Sequence, residues 1–128
     1  MKDESPRDHV LVIDDDADFR ELMVMIGQLC AVPVLCACNC REGLKMLIRQ
    51  HAQIKMVLLD YFMPGVEPAT CASTICTKAG PQVPVVLVTA AVDPAVRAAE
   101  LNIRRWIAKP IDVSVLTALL TEDRTRTI

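Results

Sequence analysis

Four short apolar runs in this chain each end on a polar residue: HVLVI on Asp14 and Asp15, KMVLL on Asp60, VPVVLV on Thr89, and RRWIA on Lys109. The first, from Val10 to Ile13, is unbroken, as expected of a strand buried on both faces, which is the condition of a parallel sheet covered by helices. In an open parallel sheet every strand points the same way, so the residues that end the strands gather along one edge, where such folds place their sites. Asp14, Asp15, Asp60, Thr89 and Lys109 should therefore converge. Three carboxylates brought together repel one another unless a cation intervenes, and a hard ion with oxygen ligands such as Mg²⁺ meets that need. With Lys109 added, such an ion would bring the site to neutrality.

The segments between the runs read as helices. Phe19, Leu22, Met23, Ile26 and Leu29 recur at helical spacing, with Asp16 or Asp18 as the cap and an end before Pro33. Val34 to Cys38 reads as a second strand, and Leu44, Leu47 and Ile48 mark a second helix with Arg41 and Glu42 in its first turn. After the third strand, Lys55 to Leu59, the loop FMPGVEP is punctuated by Pro64, Gly65 and Pro68. Ala69 to Lys78 has helical length, although Thr70, Ser73, Thr74 and Thr77 are mediocre helix formers. Pro84 to Val88 is expected as the fourth strand, Pro94 to Leu101 as the fourth helix and Arg105 to Ala108 as the fifth strand. Asp112 should cap a last helix carrying Val115, Leu116, Leu119 and Leu120. The order is βα five times over with short connections, an α/β fold with a doubly wound parallel five-stranded sheet.

The chain of 128 residues is expected to be one domain, with 52% apolar residues sufficient for its core. The core should run from about residue 9 to 121, with 122–128 a tail or the start of a linker. A net charge of −2 offers no basic surface for a phosphate backbone, and four scattered aromatics offer no stacking platform, which argues against nucleic-acid binding. The polar, acidic start MKDESPRDHV lacks the pattern of a secretory signal, and no apolar stretch approaches the roughly 20 residues of a membrane span. A cytoplasmic location follows as the expectation.

Six cysteines raise the alternatives of a disulfide framework or a metal site. Cys36, Cys38 and Cys40 recur with period two, which in an extended strand separates successive β-carbons by roughly 6 to 7 Å. No C-x₂-C pair occurs, and Cys30, Cys71 and Cys76 fall in helix-like segments among apolar neighbours. All six are expected to be buried, reduced and hydrophobic in role. His9 and His51 read as surface residues, and Arg104 and Arg105 as a solvated edge.

Four motifs in order, VLVIDDDADFREL, VLLDYFMPG, VVLVTA and WIAKP, resemble the response regulator receiver domains of two-component signalling over residues 9 to about 121. The resemblance implies a flavodoxin-like strand order of 2-1-3-4-5. It implies that Asp60 accepts a phosphoryl group from a phosphohistidine on a sensor histidine kinase or histidine phosphotransfer protein. Asp15 would be a direct Mg²⁺ ligand, Asp14 its companion through an intervening water, and the Phe62 backbone carbonyl a further ligand beside Asp60. Lys109 would hold a phosphoryl oxygen. Thr89 and Trp106 would form a switch pair that repacks the face made by the fourth helix, fifth strand and fifth helix, where a downstream effector or a second copy would dock. Such a protein is no enzyme beyond its own phosphorylation and slow autodephosphorylation. With no output domain inside these residues, it would be a stand-alone regulator, a phosphorelay intermediate or the front of a longer protein.

The sequence departs from the family pattern in places. Pro68 replaces a usual glycine, Cys40 a small residue, Gly43 an alanine, and Trp106 the more usual tyrosine or phenylalanine. Phe62 stands where a polar side chain often positions water, which suggests slower hydrolysis of an acyl phosphate. Asp14 to Asp16 also satisfy the DxD core of haloacid dehalogenase-like phosphohydrolases, but the acidic pair those enzymes need after the lysine is missing and Asp60 would have no task. A flavodoxin-like flavin binder needs a loop that attracts an anion, and three aspartates repel one. A scaffold that binds partners without being phosphorylated is the remaining alternative.

Overall fold

The computed structural model describes residues 7–122. Five strands, β1 (His9–Ile13), β2 (Val34–Ala37), β3 (Ile54–Leu59), β4 (Val85–Thr89) and β5 (Arg105–Ala108), form one parallel sheet in the order β2-β1-β3-β4-β5. Between and after them run α1 (Ala17–Cys30), α2 (Cys40–Gln50), α3 (Pro68–Ala79), α4 (Pro94–Glu100) and α5 (Val113–Leu120), with one 3₁₀ turn at His51–Gln53. The expected architecture and strand order are those observed.

Alternation along the strands sorts the core into two halves. Leu11 and Ile13 of β1, Leu59 of β3 and Leu87 of β4 face α2, α3 and α4, where Leu47, Ala72, Ile75 and Ala98 meet them. Val10, Val12, Met56, Leu58, Val86 and Val88 face α1 and α5, against Phe19, Met23, Ile26, Leu116 and Leu119. Burial on both faces is why β1 and β3 carry no polar side chain in their middles. Gly43 lets α2 lie close on β1, since a β-carbon there would come 2.4 Å from Ile13 Cδ1 and 2.7 Å from its Cγ1.

Local chemistry sets the helix ends. Asp16, not Asp18, caps α1, its side chain accepting from the Asp18 and Phe19 amides. Asn39 caps α2 by accepting from Glu42 N at 2.8 Å, while Glu42 Oε1 accepts from Cys38 N at 3.0 Å. This reciprocal pair ends β2 at Ala37, one residue earlier than the apolar run implies, and makes Cys40 helical. Asp112 heads α5, but its side chain makes no capping bond. Pro68 is the first residue of α3, where its missing N–H is harmless, and Gly65 supplies the positive φ (94°) of the preceding loop. Leu29 (83% exposed) and Ile48 (57%) turn to solvent despite their helical spacing, and Val115 is also exposed.

Several residues are more engaged than expected. Cys40 and Cys71 are joined by a disulfide across α2 and α3, Cα–Cα 6.0 Å, which corrects the reading of six reduced cysteines. The period-two separation holds only for an extended strand, whereas the Asn39 cap makes Cys40 the first residue of α2, facing Cys71 within ordinary bridging distance. Cys30, Cys36, Cys38 and Cys76 are free but only half-buried. His9 and His51 are partly exposed, as expected, and each has a partner: His9 pairs with Asp8 at 2.6 Å, and His51 Nε2 donates to the Ala79 carbonyl at 2.8 Å. Arg104 and Arg105 are both exposed, as expected of a solvated edge, and Arg105 makes two 2.9 Å contacts with the Glu122 carboxylate. Lys55, 8% exposed, donates to the Leu120 and Glu122 carbonyls and ties the end of α5 to the start of β3. Of the expected tail, 123–128 lie outside the described residues. Among the described residues no helix is long and apolar enough to cross a membrane.

Candidate functional site at the strand ends

The sheet's own ladder delivers the polar residues to one edge. Asp14 N donates to the Ala37 carbonyl (3.0 Å), Asp60 N to the Ile13 carbonyl (3.0 Å) and Lys109 N to the Thr89 carbonyl (2.8 Å), each bond extending strand pairing beyond the apolar run. The carboxylates of Asp14, Asp15 and Asp60 each bring an oxygen within 4.8 Å of the others. Asp14 is buried, Asp60 half-buried and Asp15 exposed. The cluster is therefore open to solvent on the Asp15 side.

Lys109 completes it. Its Nζ donates to Asp14 Oδ2 at 2.6 Å, with the two side chains 15% and 2% exposed, and stands 4.3 Å from the Phe19 ring centroid. The other Asp14 oxygen accepts from Asp16 N at 2.9 Å, and the Arg20 guanidinium donates to the Asp14 carbonyl at 2.7 Å. Phe19 and Arg20 thus support the site without having been singled out for it. Phe19 registers in the sequence as a helix-face residue, and Arg20 only as part of the VLVIDDDADFREL motif, with no role of its own. Thr89 is fully buried, its Oγ1 accepting from Ala91 N at 3.1 Å.

Burial, and next the charge of Asp14, push the Asp60 carboxyl up from 3.8 to about 6, against the opposing influence of Lys109, the Tyr61 amide and the Thr89 hydroxyl. A carboxyl raised by a second carboxylate is a group short of positive charge. The donors are hard oxygens on three side chains at one open edge, and this set fits a small divalent cation such as Mg²⁺.

Of the remaining expected residues, Phe62 lies beside this centre and Trp106 does not. Phe62, two residues beyond Asp60, is 57% exposed and meets the Tyr61 ring edge-on with centroids 5.0 Å apart. Together with Asp15, Met63, Pro64 and Pro68 these two rings line an open cleft beside the carboxylates. Trp106 sits apart from the cluster, paired with Leu87 across the β4–β5 ladder and 43% exposed. Asp112, at the head of α5, does not join the acidic group, which leaves the phosphohydrolase alternative without its second acidic pair.

Comparison with known proteins bears on the fold and the family. No curated protein matches the chain in sequence. Among solved structures, a CheY-like response regulator receiver domain protein from Methanospirillum hungatei JF-1 is similar at 20% identity and TM-score 0.78, covering 94% of this chain and 95% of that one. Chemotaxis protein CheY4 of Vibrio cholerae is similar at 19% identity and TM-score 0.75, covering 90% and 97%. CheY in a CheX–CheY–BeF₃–Mg²⁺ complex from Borrelia burgdorferi is similar at 21% identity and TM-score 0.75, covering 88% and 87%. These likenesses concern the fold. The profile of the response regulator receiver domain matches residues 10–121, nearly the whole described chain, and on that match the protein belongs to the response regulator receiver domain family.

Proposed function

We propose that this protein is a phosphoacceptor: Asp60 takes a phosphoryl group from a phosphohistidine on a partner kinase or phosphotransfer protein, in a site that binds Mg²⁺. The observation that carries the reading is the meeting of the Asp14, Asp15 and Asp60 carboxylates within 4.8 Å, with Lys109 against Asp14. In the transfer an Asp60 oxygen bonds to phosphorus as the P–N bond to the histidine breaks, and the imidazole leaves with the electron pair. Magnesium, when bound, supplies positive charge to oxygens on which negative charge is concentrated.

The chain's own residues do the rest. Asp15, exposed at the rim, and Asp60 would ligate the ion, together with the Phe62 carbonyl. Asp14 has both carboxylate oxygens engaged by Lys109 and the Asp16 amide, which suits a role through water. Lys109 would move its ammonium from Asp14 to a phosphoryl oxygen, acting as a point charge. Thr89, buried at the end of β4, would turn its hydroxyl to another. Trp106 would follow inward from its half-exposed position, biasing the face of α4, β5 and α5 toward one of two packings read by an effector or a second copy. On this reading residues 9–121 act as one signalling unit at the cytoplasmic side of a pathway, not as an enzyme with an external substrate.

Intact-mass spectrometry after incubation with acetyl phosphate tests the proposal. The expected result is one added phosphoryl group that requires Mg²⁺ and is absent from Asp60→Asn. No adduct together with no Mg²⁺ binding would leave the protein a scaffold, and steady phosphate release without an adduct would return the phosphohydrolase.

A further inference from the structure

The Cys40–Cys71 bridge spans the two segments that hold the acidic site. Cys40 opens α2 three residues after Ala37, whose carbonyl fixes the Asp14 amide. Cys71 lies three residues into α3 from Pro68, where the segment leaving Asp60 lands. Both cysteines are buried in the cluster that contains Ile13 and Leu59, the residues immediately before Asp14 and Asp60. The bridged positions are 31 residues apart, and the loop they close contains β3, Asp60 and Phe62.

Four other cysteines in the same chain are free thiols. In a compartment that keeps thiols reduced, a disulfide is usually one that forms and breaks in use. We infer that Cys40 and Cys71 form a reversible thiol–disulfide site whose oxidation tightens the hold of the acidic cluster on a divalent cation. The inference deepens the proposed function and rests on its Mg²⁺ site.

The reaction is exchange with a low-molecular-weight disulfide such as glutathione disulfide. One cysteine thiolate attacks a glutathione sulfur and a glutathione thiolate leaves. The second cysteine thiolate then attacks the mixed disulfide at the protein sulfur, the Cys40–Cys71 bond forms and the second glutathione thiolate leaves. Two protein thiols lose two electrons and two protons, and one disulfide is reduced to two thiols. Both cysteines are buried, so the exchange requires the first turn of α3, next to the exposed stretch 64–67, to open locally.

The bridge removes conformational freedom from the segment between Asp60 and α3. A cation that must order this segment to bind loses less entropy when it is already tethered. Coupling between two binding equilibria is reciprocal, so Mg²⁺ must favour the bridge by the same factor by which the bridge favours Mg²⁺.

The full chain is equilibrated in glutathione buffers of graded redox ratio, with saturating Mg²⁺ or with EDTA, then acid-quenched, tagged with a maleimide and weighed. The reduced protein carries six tags and the bridged protein four. The expected result is a bridge-forming equilibrium constant about fivefold higher with Mg²⁺, and an equal gain in Mg²⁺ affinity on bridging. Cys71→Ala should bind Mg²⁺ as the reduced protein does, in every buffer. Six tags throughout, or an equilibrium indifferent to Mg²⁺, would overturn the inference. Linkage without a phosphoryl adduct in either redox state would defeat the phosphoacceptor reading alone; adduct formation with no linkage would defeat this inference alone.

Discussion

Lys109 and Asp14, 95 positions apart in sequence, meet in a 2.6 Å ion pair at the end of the sheet. The Asp14 side chain is 2% exposed, so its charge is stable there only with a partner. Lys109→Met should therefore destabilise the metal-free protein, by about 3 kcal/mol on the scale of broken buried pairs. Urea unfolding in EDTA measures this. Added Mg²⁺ should recover part of the loss, since it supplies positive charge to the same carboxylates; a variant as stable as the parent in EDTA would show the pair to be energetically idle.

Asp60 predicts a pH dependence of the metal-free fold. Its carboxyl is raised from 3.8 to about 6, chiefly by burial and then by Asp14. A group raised in the folded state contributes stability that is fully present below its unfolded value, here 3.8, and is lost as pH rises through about 6. Asp60→Asn, which carries no charge to lose, should raise the melting temperature in EDTA near neutral pH by a few degrees, the gain being trimmed by the group's partial exposure. The difference should fade when the pH falls below about 4, and also when Mg²⁺ is added. A melting temperature unchanged by the substitution near neutral pH would count against the repulsion.

Gly43 predicts a packing penalty. The β-carbon of Gly43→Ala would stand 2.4 Å from Ile13 Cδ1, and 2.7 and 3.2 Å from that side chain's Cγ1 and Cγ2. The expected cost is about 1–3 kcal/mol in chemical denaturation. Ile13→Val deletes Cδ1, so the double variant should recover part of the loss, and a double-variant cycle that is simply additive would contradict the contact.

The strand ends were legible because each couples a buried apolar run to the polar residue that stops it, which fixes both the element and its direction. Asp14, Asp60, Thr89 and Lys109 needed nothing else to be placed on one edge. The Cys40–Cys71 contact was not legible, since it depends on how α2 packs against α3 and not on spacing along the chain. A local clue did exist in Asn39 and Glu42, whose capping pair takes Cys40 out of the strand. Leu29 and Ile48 show the opposite limit, since helical spacing marks a face without saying how far the neighbouring layer reaches round it.

On the proposed phosphoacceptor reading, Phe62 governs the lifetime of the phosphorylated state. Its ring is 57% exposed, stands edge-on to Tyr61, and lines the cleft that also holds Asp15. An apolar ring in that position neither orients nor hydrogen-bonds a water approaching the acyl phosphate. Phe62→Asn should let a side-chain amide place that water and speed dephosphorylation about tenfold, equivalent to about 1.4 kcal/mol off the barrier. Phe62→Leu, which keeps an apolar group without the ring, should leave the lifetime close to that of the parent. The measurement is loss of the phosphoryl mass with time after the donor is removed. Equal decay in all three proteins would show that the ring does not shield the acceptor, and slower decay in Phe62→Asn would mean that the amide protects it instead.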